Sequence, residues 1–150
     1  EAYRSVDLPV LVLIAAMIPI GRAFDDAGGT RAIADAIGWL LSGAPLPLVL
    51  AVICGASMLL SIFLNNVATA LVMGQVGIGA AASLGISPDA ALLAVLVGTS
   101  CDFLTPIGHQ NNLLVMRPGG YRFRDYPRVG APLSVMTIVV TAYVLSRAYG

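Results

Sequence analysis

The sequence predicts an all-α integral membrane protein, and three observations carry that prediction. Apolar stretches of bilayer length follow one another through most of the chain, charge gathers between them, and two stretches are interrupted by asparagines. Hydrophobic residues make up 58% and charged residues 11%, with a mean hydropathy of +0.89, against roughly 45–50% apolar and about 25% charged in soluble domains. All eight basic residues are Arg, the acids are seven Asp and one Glu, and the net charge is zero. Such a balance speaks against a nucleic-acid partner and for membrane lipid.

The elements follow in order. Residues 6–21, VDLPVLVLIAAMIPIG, are nearly free of charge and form a first spanning helix when extended by a turn at either end. No basic segment precedes this run and no small-residue cleavage site follows it, so it is not a signal peptide. Residues 22–43 interleave Arg22, Asp25, Asp26, Arg31 and Asp35 with Phe24, Ile33, Ile37, Leu40 and Leu41. That spacing gives one apolar and one polar face, as in a helix lying in the membrane interface, with Trp39 either a headgroup anchor or a packed side chain.

Pro45 and Pro47 open the next element, residues 45–85: apolar to Leu64, then Asn65-Asn66, then apolar again from Val67 to Leu84. A two-residue amide tip carries no charge to hold it in water, and Gly55, Gly74, Gly77 and Gly79 let two arms pack closely. These residues read as a re-entrant hairpin that dips into the bilayer and returns. Residues 88–117 read as one spanning helix broken in the middle. Ser87 and Pro88 start it, Ala90 to Phe103 is apolar apart from Asp102, and Thr105-Pro106-Ile107-Gly108-His109-Gln110-Asn111-Asn112 interrupts it before Leu113 to Met116 resume. The polar stretch Arg117 to Arg128 holds Arg117, Arg122, Arg124 and Arg128 and is expected on the cytoplasmic side, after which residues 131–149 cross outward. Cys54 and Cys101 read as small packing residues, having no paired spacing and no His placed for a metal.

The breaks carry the chemistry. A backbone that leaves the helix at membrane depth costs several kcal/mol per unsatisfied group, so it survives only when buried in protein or lining a watery cavity. A helix starting at the midplane, near Val67 or Asn111, presents N–H groups and a positive partial charge of about half a unit to an anion. Carbonyls freed near Leu64 and at Ile107 to Gly108 are oxygen ligands for a cation. Asp102 is the lone acid deep in an apolar stretch, read either as part of a proton or ion pathway or as a structural pair. His109 is either a neutral hydrogen-bonded group or a contact that senses protons or substrate. Asn112 either satisfies backbone groups freed by Pro106 or contacts substrate. Thr69 and Thr105 are expected to cap helices or to bond a preceding carbonyl.

The tip Asn65-Asn66-Val67-Ala68-Thr69-Ala70 and the broken stretch Thr105 to Asn112 resemble the carboxyl-terminal repeat of the divalent anion:sodium symporter family, within the ion transporter superfamily. The order of spanning helix, surface helix, hairpin and broken helix is similar too, over nearly all of the chain. The resemblance implies one half of an inverted-repeat transporter, with a missing amino-terminal repeat, a homodimer when full length, and a multi-pass place in a bacterial inner membrane. The start at Glu1 fits the later part of a longer protein. Carried over position by position, the resemblance implies sodium ligands at Ser61, Leu64, Asn66, Gly108 and Gln110, and substrate contacts at Asn65, Asn66, Val67 and His109; Asn112 joins the substrate group on physical grounds. Val67 departs from the family's threonine and Asn65 from its serine. A lost hydroxyl contact is worth about 0.5–1.5 kcal/mol, which leaves a dicarboxylate and a smaller oxyanion such as sulfate both open.

The function expected is therefore sodium-coupled transport of an inorganic or carboxylate anion by alternating access. The alternatives are a proton- or sodium-coupled antiporter, an arsenite-type anion permease of the same superfamily, or a membrane assembly subunit without transport. An intramembrane enzyme is disfavoured, because the chain has no HExxH, no GxSxG and no paired acids at the breaks.

Overall fold

Prolines and glycines set where the helices of this chain start and stop. In the computed structural model Pro45 is the extended N-cap of one helix and Pro88 stands in the first turn of another, where the missing N–H costs nothing. Gly85, at φ +68, ends the helix before it, and the following Ile86 N–H reaches back to the Ala81 carbonyl at 3.1 Å, closing a left-handed C-cap. The structure describes residues 12, 15, 16, 19, 22, 23, 26–64, 66–106, 110–116 and 118–150, with Thr30, Ala34, Gln110, Asn111 and Leu113 described by their backbone alone. Apart from the four positions 12, 15, 16 and 19, the expected helix 6–21 lies outside the described residues.

The described elements are all helical: α1 Gly29–Leu40, α2 Leu46–Ser61, α3 Asn66–Leu84, α4 Pro88–Ser100, α5 Gln110–Met116 and α6 Asp125–Tyr149. Among them α3 and α6 are long and apolar enough to cross a membrane, reaching about 28 Å and about 37 Å at 1.5 Å per residue. α2 and α4 are shorter apolar helices. The protein is an all-α membrane protein by these elements.

α4 is the central helix, packed against α2, α3 and α6. Small side chains allow this: Ala90, Ala91, Ala94 and Gly98 are buried on α4 and face Leu50, Ile53 and Cys54 of α2 and Val76 of α3 within one core. The closest approach is at Gly98, where an added Cβ would run into the Cys54 carbonyl oxygen and stand 2.8 Å from the Ser57 Cβ. α6 lies against α2, with Ile138 beside Gly55 and Leu46 beside Gly150, so the two helices run in opposite directions. Its other side exposes Val135, Met136, Val139, Val140, Tyr143 and Val144, an apolar face suited to lipid or to further protein. α1 rests on α3 through Gly38 and Ser83 and leaves Trp39 82% exposed, so Trp39 is not a packed side chain in this chain.

α4 stops at Ser100, before the end of the apolar run at Phe103, and α5 starts at Gln110, one residue from the helix start expected near Asn111.

Gly98→Ala should lower the melting temperature of the detergent-solubilised full-length protein, by a loss of about 1–3 kcal/mol from forcing α2 and α4 apart. Gly55→Ala is the control, because its Cβ would make an ordinary 3.5 Å contact with Ile138. Equal melting of the two variants would contradict the packing.

Candidate functional site at the two breaks

The first break sits between α2 and α3. α2 tightens as it ends: the Ile62 N–H donates to the Leu59 carbonyl at 3.3 Å, Phe63 to Leu60 at 3.1 Å and Leu64 to Leu60 at 3.0 Å. The last carbonyls of α2 are thereby released from a helical ladder. Asn66 opens α3, and its Oδ1 accepts a hydrogen bond from Ser61 Oγ at 2.9 Å across the turn. Ser61 Oγ also stands 3.3 Å from the main-chain oxygen of Thr99, in the last turn of α4. The hairpin tip is therefore fastened to the place where α4 ends, and the two breaks meet.

The meeting point is dry. Ser61 is 1% and Thr99 2% exposed, and Thr69, one turn into α3, is fully buried. Thr99 Oγ1 bonds the Leu96 carbonyl at 3.1 Å, the usual local solution for a hydroxyl in an apolar helix. Thr69 does not follow the expectation that it would bond a preceding carbonyl: its Oγ1 has no hydrogen-bond partner among the described residues. A buried hydroxyl left so costs about 1–3 kcal/mol, which is tolerable where a ligand or water completes the site.

The second break begins at Cys101, whose dihedrals of −110° and 59° leave the helical region. Residues 101–106 are not helical. Asp102 is 2% exposed within this stretch and Pro106 is buried. Asn112, in the first turn of α5, spans the break: its Nδ2 donates to the Asp102 carbonyl oxygen at 3.2 Å and to the Thr105 carbonyl oxygen at 3.3 Å. One amide thus serves two carbonyls of the unwound chain, as the loss of the Pro106 donor requires. Tyr126, in the first turn of α6, donates its hydroxyl to the Asn112 carbonyl oxygen at 2.7 Å.

Of the residues singled out from sequence, Ser61, Asn66, Asp102 and Asn112 stand at the two joined breaks. Leu64 is exposed at the tip and Val67 half-buried just beyond it. Asn65, Gly108 and His109 lie outside the described residues, and Gln110 is described by its backbone alone. Sequence reasoning missed Thr99 and Tyr126. Thr99 takes part through its backbone, which carries no residue-type signal, and Tyr126 meets Asn112 across 14 positions.

Neutral oxygens of Ser61, Asn66 and Thr99 brought together in a dry site suit a hard cation, while the N-terminus of the 19-residue α3 beside them favours an anion. A helical membrane bundle with two joined, asparagine-bearing breaks is the class of protein these residues define. The family comparison names a transporter: the citrate transporter family CitMHS matches residues 1–150, and the chain belongs to it. The chain is 38% identical over 154 residues to the "Uncharacterized transporter sll0640" of Synechocystis sp., covering 100% of this chain and 24% of that protein. It is 28% identical to the "Uncharacterized transporter YfbS" of Escherichia coli, over 99% of this chain and 24% of the relative. It is 32% identical to "Sodium/sulfate cotransporter 1" of Chlamydomonas reinhardtii, over 97% of this chain and 17% of the relative. The chain spans about a quarter or less of the length of these relatives.

Asn112→Ala should destabilise the full-length protein by about 1–3 kcal/mol, because the carbonyls of Asp102 and Thr105 lose their shared donor. Thermal unfolding in detergent measures this, and an unchanged midpoint would show that the amide is dispensable.

Proposed function

We propose that this chain is one repeat of a secondary active transporter that moves an inorganic or carboxylate anion, of the sulfate or dicarboxylate class, coupled to sodium by alternating access. The observation that carries the reading is the junction of Ser61 Oγ with Asn66 Oδ1 and the Thr99 carbonyl oxygen, which joins a helix N-terminus to the released carbonyls of two other helices. Charge of both signs is thus accommodated without an ionised side chain at the junction. In this reading Ser61, Leu64, Asn66, Gly108 and Gln110 hold sodium, while Asn65, Asn66, Val67 and His109 face the anion; Asn112, whose two amide hydrogens serve the Asp102 and Thr105 carbonyls, shapes the break instead. The names of three sodium/sulfate cotransporter relatives of Chlamydomonas reinhardtii, one of them called probable, at 27–32% identity, weigh toward sulfate.

The hairpin α2–α3 is re-entrant in this proposal, since its tip holds amides and a hydroxyl but no charge to keep it in water. The chain's short span of its relatives supports a site completed by a second repeat, and the proposal includes a homodimer of the full-length protein. Asp102 belongs to the ion pathway, as a nearly inaccessible acid where α4 unwinds.

Proteoliposomes holding the full-length protein should accumulate labelled sulfate, succinate or citrate under a sodium gradient, and Asn66→Ala should abolish that uptake while the protein still folds and inserts. Uptake that survives Asn66→Ala would count heavily against the reading. Asp102→Asn should slow uptake and alter its dependence on the driving ion; an unaltered rate and ion dependence would remove Asp102 from the pathway.

A further inference from the structure

The first turns of α6 carry two faces of different character. Tyr126, Gly130 and Ser134 recur every fourth residue and turn toward the bundle: Gly130 is buried so close to the Phe103 carbonyl that a Cβ there would collide with it, and Ser134 is buried one turn on. Beside them runs a second row, Val129, Leu133, Met136 and Val140, whose spacing of four, three and four keeps it on one face of the helix. All four are exposed, Val129 at 71%. From Val129 to Val140 the row rises about 17 Å at 1.5 Å per residue, close to half of a hydrocarbon core about 30 Å thick. The row is as long as one leaflet.

The row begins in a cavity of about 280 Å³ between α5 and α6, to which Phe103, Val115, Tyr121, Val129 and Leu133 give an apolar lining. Its polar residues are already engaged. The Tyr126 hydroxyl donates to the Asn112 carbonyl oxygen at 2.7 Å, the Asn112 amide serves the Asp102 and Thr105 carbonyls, and Asp125 Oδ2 accepts the Arg122 N–H at 2.8 Å. Hydrocarbon is therefore the chemistry this cavity fits. The mouth is different. Arg122, Arg124 and Arg128 adjoin the lining residues Tyr121, Asp125 and Val129 in sequence, and all three are exposed. Among the described residues none of their guanidinium groups makes an ion pair, since the bond from Arg122 to Asp125 comes from the main chain. Three cations around the single carboxylate of Asp125 leave a positive rim where the apolar row starts.

We propose that this cavity and row bind an anionic phospholipid. One acyl chain enters the cavity and follows α6 from Val129 to Val140, and the phosphate of the headgroup meets Arg122, Arg124 and Arg128. Guanidinium groups pair with phosphate oxygens two at a time, and clustered basic side chains at the end of a spanning helix attract anionic headgroups. An apolar helix from elsewhere would cover the row equally well but would leave the three arginines without partners; a lipid supplies both the chain and the charge. The proposal needs the membrane class of this protein and not its transport reading.

The test uses the purified full-length protein, delipidated in detergent, with two lipids of identical acyl chains: anionic phosphatidylglycerol and zwitterionic phosphatidylcholine. Native mass spectrometry counts the lipid retained, and thermal unfolding reads the stabilisation that binding brings. The wild type should prefer phosphatidylglycerol about tenfold, and the preference should vanish in Arg122→Gln/Arg124→Gln/Arg128→Gln. The corresponding triple Arg→Lys variant keeps the charge and should keep the preference. Val129→Trp fills the mouth of the cavity from an exposed position and should cost one retained lipid per chain; this variant and the Lys variant do not depend on the Gln variant folding. Glycerol 3-phosphate, a headgroup without chains, should not stabilise the protein. Equal binding of the two lipids overturns the proposal, as does a preference unchanged by the Gln substitutions, a preference lost in the Lys variant or binding unchanged in Val129→Trp. Stabilisation by glycerol 3-phosphate equal to that by the lipid would make this a site for free phosphate instead. Absence of retained lipid also overturns it, and Val129→Cys then shielded from an apolar thiol reagent would show that protein, from the rest of the chain or a second copy, covers this face.

Discussion

A main chain that unwinds inside an apolar bundle must find donors for its carbonyls there, because lipid supplies none. That constraint governs both breaks, which answer it differently. At the second break one side chain, Asn112, supplies two donors to the carbonyls of Asp102 and Thr105 and so holds open a gap that a continuous helix would have closed. At the first break Ser61 turns its hydroxyl toward both Asn66 and the Thr99 carbonyl. Carbonyls that remain after these bonds are the groups the proposed coupling ion would use.

Close packing around α4 is what allows the breaks to meet. Gly98 brings the α4 backbone against Cys54, and the same two helices reach Thr99 and Ser61 a few residues later. A larger residue at 98 would separate them before the polar groups could touch. Small residues here serve function indirectly: in a membrane protein, where burial of apolar area does little to distinguish helix from lipid, close approach supplies the dispersion contacts and sets the spacing of polar atoms.

Local stability is uneven by design of the chain. α2, α3 and α4 interlock through buried alanines and valines, whereas α6 presents an apolar face outward and touches the site through a narrow stripe at its start. The buried Thr69 hydroxyl, without a hydrogen-bond partner among the described residues, lies one turn into α3 in the same region and is a group that a bound ligand or water would satisfy.

Much of the architecture was legible in the sequence because it depends on local composition. Apolar length, proline at helix starts, glycine after helix ends and the amide-bearing breaks are properties of neighbouring residues, so the all-α membrane class and the interrupted helices followed from them. The outlook was poorer where partners are distant in the chain. Nothing near Thr99 foretells that its carbonyl faces Ser61 across 38 positions, and nothing near Tyr126 foretells its bond to Asn112. The end of α4 at Ser100 also comes earlier than its apolar run suggested, and the amide that serves the unwound Asp102 carbonyl lies ten residues further on. The sequence by itself determined the class of protein and which segments could unwind. Only the tertiary structure decided where they unwind and which atoms meet, because a hydrogen bond needs two groups within about 3 Å, a distance set by packing and not by composition.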